Sequence, residues 1–212
     1  MLREQTVEGF LGELTSKAPT PGGGGASAMA GAMAASLGAM VANLTSGNKK
    51  YADVQGRIDE IIPQLEALRD KLLELADADA AAFAPLSKAY GLPKSTPEEQ
   101  AHKAQVMEAA LRTACEPPYQ IMETISQVVD LLAELSKIGT RIAISDVGAG
   151  AAFASAALKG ASLNVFINAK SMKDRDYADE LVAKTQTLLD DGCQNADRTY
   201  LAVERGIRWA KH

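Results

Sequence analysis

Cysteine and histidine are scarce in this chain, and their scarcity closes off several kinds of chemistry. The 212 residues include two cysteines, Cys115 and Cys193, and two histidines, His102 and His212. Neither cysteine has a Cys or His neighbour at metal-ligand spacing, so neither a disulfide framework nor a zinc site is expected, and free thiols fit a reducing cytoplasm. His102 sits in a charged stretch and His212 is the last residue. No Ser-His-Asp or Cys-His nucleophile is therefore expected beside an apolar pocket. Basic clusters are also missing: Lys and Arg total 22 against 27 Asp and Glu, a net charge of -5, with the cations scattered. A nucleic-acid partner would demand a basic face. No export leader is expected, because residues 1–18 carry Arg3, Glu4, Glu8, Glu13 and Lys17 where a leader would be apolar. The run from Ala26 to Leu44 is uncharged and long enough to span a bilayer. Its Ala, Gly, Ser and Met content gives little transfer energy per residue, so it reads as a buried core helix, with no membrane partner.

What the chain does have is 47% hydrophobic residues, enough to fill the core of one domain spanning residues 1–212. They recur with helical period from end to end. Val7, Phe10, Leu11 and Leu14 mark a first helix over residues 3–17, stopped by Ala18 to Gly25 with its two prolines and four glycines. A second helix, 26–45, has two faces. Met29, Met33, Leu37, Met40 and Leu44 form a large stripe, and Ala28, Gly31, Ala35, Gly38 and Ala42 form a small one that lets another backbone come close. From Tyr51 to Leu86 an apolar seam advances by threes and fours. Thr96-Pro97-Glu98-Glu99 is a capping box that starts a helix at 97, interrupted at Pro117-Pro118 and resumed from Ile121 to a stop near Gly139. Ser145 or Asp146 can cap an Ala-rich helix from Val147 to Ala161, and a last helix covers 174–209 with Tyr177, Leu181, Leu188 and Tyr200 facing inward. Residues 163–167 alone have strand character, too isolated for a sheet. The expected fold is an all-α bundle with small-residue packing faces and an apolar excess that favours a homo-oligomer.

Three features invite a chemical reading. Asp79 falls in the hydrophobic seam, where a carboxylate is costly unless it is paired, hydrogen-bonded or open to a cavity; it could also meet water or cap a neighbouring helix. Asp77 lies off the seam. The Gly22–Gly25 loop can present N–H groups and a helix dipole to an anion, or serve as a plain linking turn. It lacks the preceding strand of a dinucleotide fingerprint and the Gly-Lys-Ser/Thr of a nucleotide loop. Asp146, between Ile142-Ala143-Ile144 and Val147-Gly148-Ala149-Gly150, is either a helix cap or a carboxylate close to a ligand.

Several motifs together extend this reading: Pro19-Thr20-Pro21-Gly22-Gly23-Gly24-Gly25-Ala26-Ser27, Met40-Val41-Ala42-Asn43-Leu44-Thr45 with Lys49-Lys50-Tyr51, and Asp79 with Ala82-Phe83. Ala89-Tyr90-Gly91-Leu92-Pro93-Lys94, Ser145-Asp146-Val147-Gly148 and Asn164-Val165-Phe166-Ile167-Asn168 complete the set. Over nearly its whole length the chain resembles the family of methenyltetrahydrofolate cyclohydrolases and formiminotetrahydrofolate cyclodeaminases. The resemblance implies a helical homodimer acting on tetrahydrofolate as carrier of a one-carbon unit, with no metal. It implies a pocket around Pro21, Gly22, Gly23, Gly24 and Gly25, faced by Asp79 and Asp146, with Ser27, Asn43, Lys94, Ser145, Asn164 and Asn168 as ligand contacts. Gly139-Thr140-Arg141-Ile142 departs from the amide-bearing Gly-Asn-x-Asn of many members, and Lys103 stands where Arg is common.

Two reactions share the family: hydrolysis of 5,10-methenyltetrahydrofolate to the 10-formyl compound, and cyclisation of 5-formiminotetrahydrofolate with loss of ammonia. The chain carries no transferase-type partner domain, which favours the hydrolase. Asp146 is then expected as general base toward water, with Asp79 orienting that water or handling the proton at N5. Lys49, Lys50 and Lys173 could attract the glutamate tail. A non-catalytic assembly protein, its carboxylates merely capping helices, is the reading of a different class.

Overall fold

In the computed structural model, which describes residues 1–208, six α-helices and three short 3-10 turns make up most of the described chain. The α-helices are α1 (Val7–Leu14), α2 (Gly23–Thr45), α3 (Gln55–Tyr90), α4 (Pro97–Ile138), α5 (Ile144–Lys170) and α6 (Arg175–Arg208). The 3-10 turns are Leu2–Glu4, Lys49–Val54 and Arg141–Ala143, and no strand occurs among the described residues, so the fold is all-α as expected. Helices α2, α4 and α5 all pack on one another, with α3 against α2 and α4, and α6 against α5 and α4.

The small face of α2 makes that central packing possible. A methyl on Gly31 would stand 2.8 Å from Ile125 Cγ1 of α4, and one on Gly38 would stand 3.0 Å from Leu132 and 3.1 Å from Leu65. Close approach is thus the compensation for glycine inside a helix. Ala28, Ala35 and Ala42 on the same face are fully buried, whereas Met33, Met40 and Leu44 of the large stripe are exposed. Helices α2 and α5 are long and apolar enough to cross a membrane by length and composition, but half or more of each apolar stretch is buried in this bundle.

Several boundaries differ from expectation for identifiable reasons. Helix α1 is short: Thr6 accepts from Gly9 N at 3.0 Å and caps it, and of its apolar residues only Phe10 is buried. Helix α2 begins at Gly23 rather than 26, with Gly22 as its cap. The capping box at Thr96 and Glu99 is formed as read. Helix α4 does not break at Pro117-Pro118. Pro118 brings no N–H to the Ala114 carbonyl, and the buried Asn168 side chain of α5 replaces it, donating from Nδ2 at 3.2 Å. Neither Ser145 nor Asp146 caps α5, which starts one residue earlier behind Ala143, so both lie in its first turn. Residues 163–167 are helical because α5 is packed along its length. Tyr177 and Tyr200 face outward, since α6 meets α5 and α4 through Ala178, Thr185, Gly192, Ala196, Thr199 and Val203. Tyr177 instead lies beneath the Arg112 guanidinium, 4.2 Å from its ring centre. Residue 209, the expected end of the last helix, and His212 lie outside the described residues.

Two glycine substitutions separate packing from helix propensity. Gly31→Ala should lower the unfolding free energy by about 1–3 kcal/mol through overpacking, although a helix alone would favour it. Gly12→Ala in α1, where a methyl meets nothing within 4 Å, should raise it by about 0.4–1 kcal/mol. Urea titration of both variants reads the two signs.

Candidate active site

The first turn of α2 leaves its N–H groups without a capping side chain of its own, because Gly22 has none. Asp79, projecting from α3, fills the gap: its carboxylate accepts from the Gly25 N–H. The position is open only because residue 24 is glycine, since a methyl there would coincide with the Asp79 carboxylate. The glycine run therefore offers its helix end to this protein's own acid, not to an anionic ligand. Asp79 caps a neighbouring helix, and it also opens to a cavity.

That cavity, of about 160 Å³, is bounded by Pro19, Thr20, Gly22, Gly23 and Gly24 on one side, by Asp79 and Phe83 of α3 on another, and by Ala114, Asn164, Ile167 and Asn168 beyond. Its other lining residues bring no charge. Burial pushes the Asp79 carboxyl up from 3.8 to about 6, and the Gly25 N–H draws it part of the way back. Asn164 stands against Gly23 and donates to its own helix at Gly160 O, 3.0 Å away, which leaves its carbonyl free. Asn168 has its donor committed to Ala114 O. Behind the wall, burial pushes the Cys115 thiol up to about 12, so it stays protonated and is no nucleophile. Among the described residues no cluster of His, Cys, Asp or Glu is arranged to hold a metal ion.

The structure thus brings together Gly22, Gly23, Gly24, Asp79, Asn164 and Asn168. Pro21 and Gly25 lie just behind the wall, in contact with each other through the Thr20–Pro21 turn. Ser27 is buried and donates to Gly23 O at 2.7 Å, wedged where Gly160 leaves room, so its work is helix packing. Asn43 bonds its own helix at Ala39 O from the far end of α2, roughly 30 Å from Gly23 at 1.5 Å per residue. Lys94 is exposed in the turn after α3. Ser145 and Asp146 begin α5, eighteen residues before Asn164 and so about 27 Å from the cavity along the helix. Within one chain, then, Asp146 and Asp79 do not share a hollow. Ala114 and Ile167 were missed as site residues. The Pro117-Pro118 pair held the signal for Ala114, because a proline frees the carbonyl four residues earlier.

Fold and site together define a helical small-molecule enzyme whose reactive group is a carboxylate held on a glycine helix start. The family described as formiminotransferase-cyclodeaminase matches residues 6–187. A methenyltetrahydrofolate cyclohydrolase of Methylorubrum extorquens is 40% identical over 207 residues, covering 98% of this chain and 100% of that protein. The formimidoyltransferase-cyclodeaminase of Mus musculus is 33% identical over 190 residues, which is 90% of this chain but 35% of the mouse protein. The crystal structure of formiminotetrahydrofolate cyclodeaminase from Thermotoga maritima superposes with a TM-score of 0.81 at 28% identity, covering 99% of this chain and 100% of that one. The chain belongs to the formiminotransferase-cyclodeaminase family.

The raised Asp79 carboxyl makes a prediction about stability. A carboxyl whose folded pKa exceeds its unfolded value binds its proton more tightly when folded, so the folded state is penalised once pH rises through about 6. Asp79→Asn should therefore be more stable than the parent at pH 8, by about 2–3 kcal/mol. The difference should vanish below the unfolded pKa near 3.8. Urea unfolding at both pH values checks it, and equal stabilities at pH 8 would contradict the burial of the charge.

Proposed function

We propose that this chain hydrolyses 5,10-methenyltetrahydrofolate to 10-formyltetrahydrofolate, as a cytoplasmic homodimer that uses the folate as substrate and one-carbon carrier and no metal. The observation that carries the reading is Asp79: a carboxylate with no cation among its perturbing neighbours, held at the edge of a small cavity with its proton affinity near neutrality. The methenyl bridge between N5 and N10 is an amidinium-like cation. Placed in the cavity it supplies the charge that Asp79 lacks and lowers the carboxyl's pKa further. The similarity to a cyclohydrolase over that protein's full length supports the same reading.

The steps balance without any further reagent. Water attacks the bridging carbon and gives one proton to a carboxylate base, leaving a neutral carbinolamine. Its hydroxyl then loses a proton as the carbonyl forms, and the electrons of the C–N5 bond go to N5, which takes up a proton. One proton is released overall. Asp79 sits where it can receive and return it, and a group with pKa near 6 does both at neutral pH. The Asn164 carbonyl, free of its own helix, can accept from a pterin N–H or from the water.

The second family reaction, cyclisation of 5-formiminotetrahydrofolate with release of ammonia, is favoured by the name of the Thermotoga maritima neighbour. Purified protein should bleach the near-ultraviolet band of methenyltetrahydrofolate faster than buffer, with kcat/KM falling as pH drops through about 6. Asp79→Asn should slow the reaction by about 10²- to 10⁴-fold, while gaining stability as described above. A rate equal to buffer would end the hydrolase reading, and ammonia released from formiminotetrahydrofolate would establish the other.

A further inference from the structure

Asp146 is left out of the cavity, yet its place on α5 is informative. Eighteen residues, five turns, separate it from Asn164, so both side chains leave the same side of the helix about 27 Å apart. The adjoining strip of α5 is open to solvent. Ser145, Ala152 and Ala156 on it are small, whereas Leu163 and Ile167 are large and 66% and 61% exposed. Small residues occupy the first half and large ones the second, which makes the strip complementary to itself run backwards. With a twofold axis at Ala156, Ser145 falls opposite Ile167 and Ala149 opposite Leu163. The same operation brings a partner's residue 146 level with Phe166, about 3 Å along the axis from Asn164.

We propose that the active site is completed by a second copy of this chain, packed antiparallel on α5, whose Asp146 closes over the cavity that holds Asp79. The claim deepens the hydrolase reading and rests on it for catalysis, though not for the interface. Three observations bear on it. Helices α2 and α5 are antiparallel neighbours, since Gly160 meets Ser27 and Gly150 meets the Ala34 carbonyl. Their outer faces therefore join. Met33, Met40 and Leu44 with Ile142, Phe153, Leu163 and Ile167 expose on the order of 800 Å² of apolar side chain, close to what each partner buries in a standard interface.

Second, the cavity of about 160 Å³ is well short of the roughly 300–1,000 Å³ that encloses a ligand of folate size. One chain supplies only part of a site, and its open side is at Ile167, on the proposed interface. Third, no Lys or Arg lines the cavity, whereas a folate carries carboxylates. Cations do gather at the start of α5: Arg141 N donates to Tyr51 Oη at 3.0 Å, and Lys50 lies 5.8 Å from the same ring. The twofold that delivers the partner subunit's Asp146 delivers the partner subunit's Arg141 to the same mouth. Water then lies between two carboxylates on opposite walls, one from each subunit.

The test is complementation between two inactive subunits. Asp79→Asn and Asp146→Asn, each inactive alone and each still helical by circular dichroism, are co-expressed. Half of the dimers then carry one chain of each kind, with one intact site in two, so specific activity should recover to about a quarter of the parent's. Recovery of nothing beyond the separate variants overturns the shared site. The interface is read without catalysis by Ala156→Cys, which sits on the axis: oxidation should convert it to a covalent dimer that the parent, with Cys115 and Cys193, does not form. A single-chain band after oxidation overturns the packing. A parent protein inert toward methenyltetrahydrofolate would sink the proposed function instead, and the cross-link would still decide the interface.

Discussion

A carboxylate removed from water and given no cation is unstable unless something else holds its charge. Here that something is the first turn of α2, whose N–H groups and dipole face Asp79. The arrangement fixes much of the structure around it. Residue 24 must be glycine for the carboxylate to fit, α3 must run past the start of α2, and the Thr20–Pro21 turn must deliver the chain there. The helix end satisfies Asp79 only in part, which is why its proton affinity settles near neutrality and why the site suits a cationic ligand.

Much of this was legible in the residues. The period of the apolar positions gave the helices, and the break in the α3 seam singled out Asp79 before any coordinate did. What failed to show was cross-helix compensation. Two consecutive prolines read as a break because the rescuing donor, Asn168, lies fifty residues further on. The glycine run read as a loop because its stabilising partner, the Asp79 carboxylate, comes from another helix. Local propensity marks where a backbone needs help, but not that help has been supplied from elsewhere. Asp146 shows the converse. Its isolation among small residues was visible, but the distance between its end of α5 and the cavity follows from α5 being one unbroken helix.

The small residues serve two surfaces. On the inner sides of α2 and α5 they let helices approach until Gly31, Gly38, Gly150 and Gly160 have no room for a methyl without displacing a neighbour. On the outer side of α5 they leave a shallow strip beside large exposed side chains. Burying the large stripe of α2 inside would have pushed α4 and α5 apart and moved Asn164 and Asn168 away from Gly23. Turning it outward keeps the cavity walls in register and transfers the apolar excess to a face that another chain can cover.

The chemistry shared by the two family reactions follows from the same seat. Loss of ammonia from the formimino compound and attack of water on the methenyl compound both pass through an amidinium-like carbon bridged to N5 and N10. A lone carboxylate whose charge is only partly satisfied favours that cation in either case, by attraction that strengthens as the ligand displaces water. Which reaction dominates depends on what stands across the bridge from Asp79: a group that prepares water for attack, or one that helps ammonia depart. In a single chain that wall is the exposed edge at Ile167, with no acid or base lining the cavity there. The choice between the two chemistries is therefore made outside the cavity that this chain builds alone, by whatever group is brought to its open side.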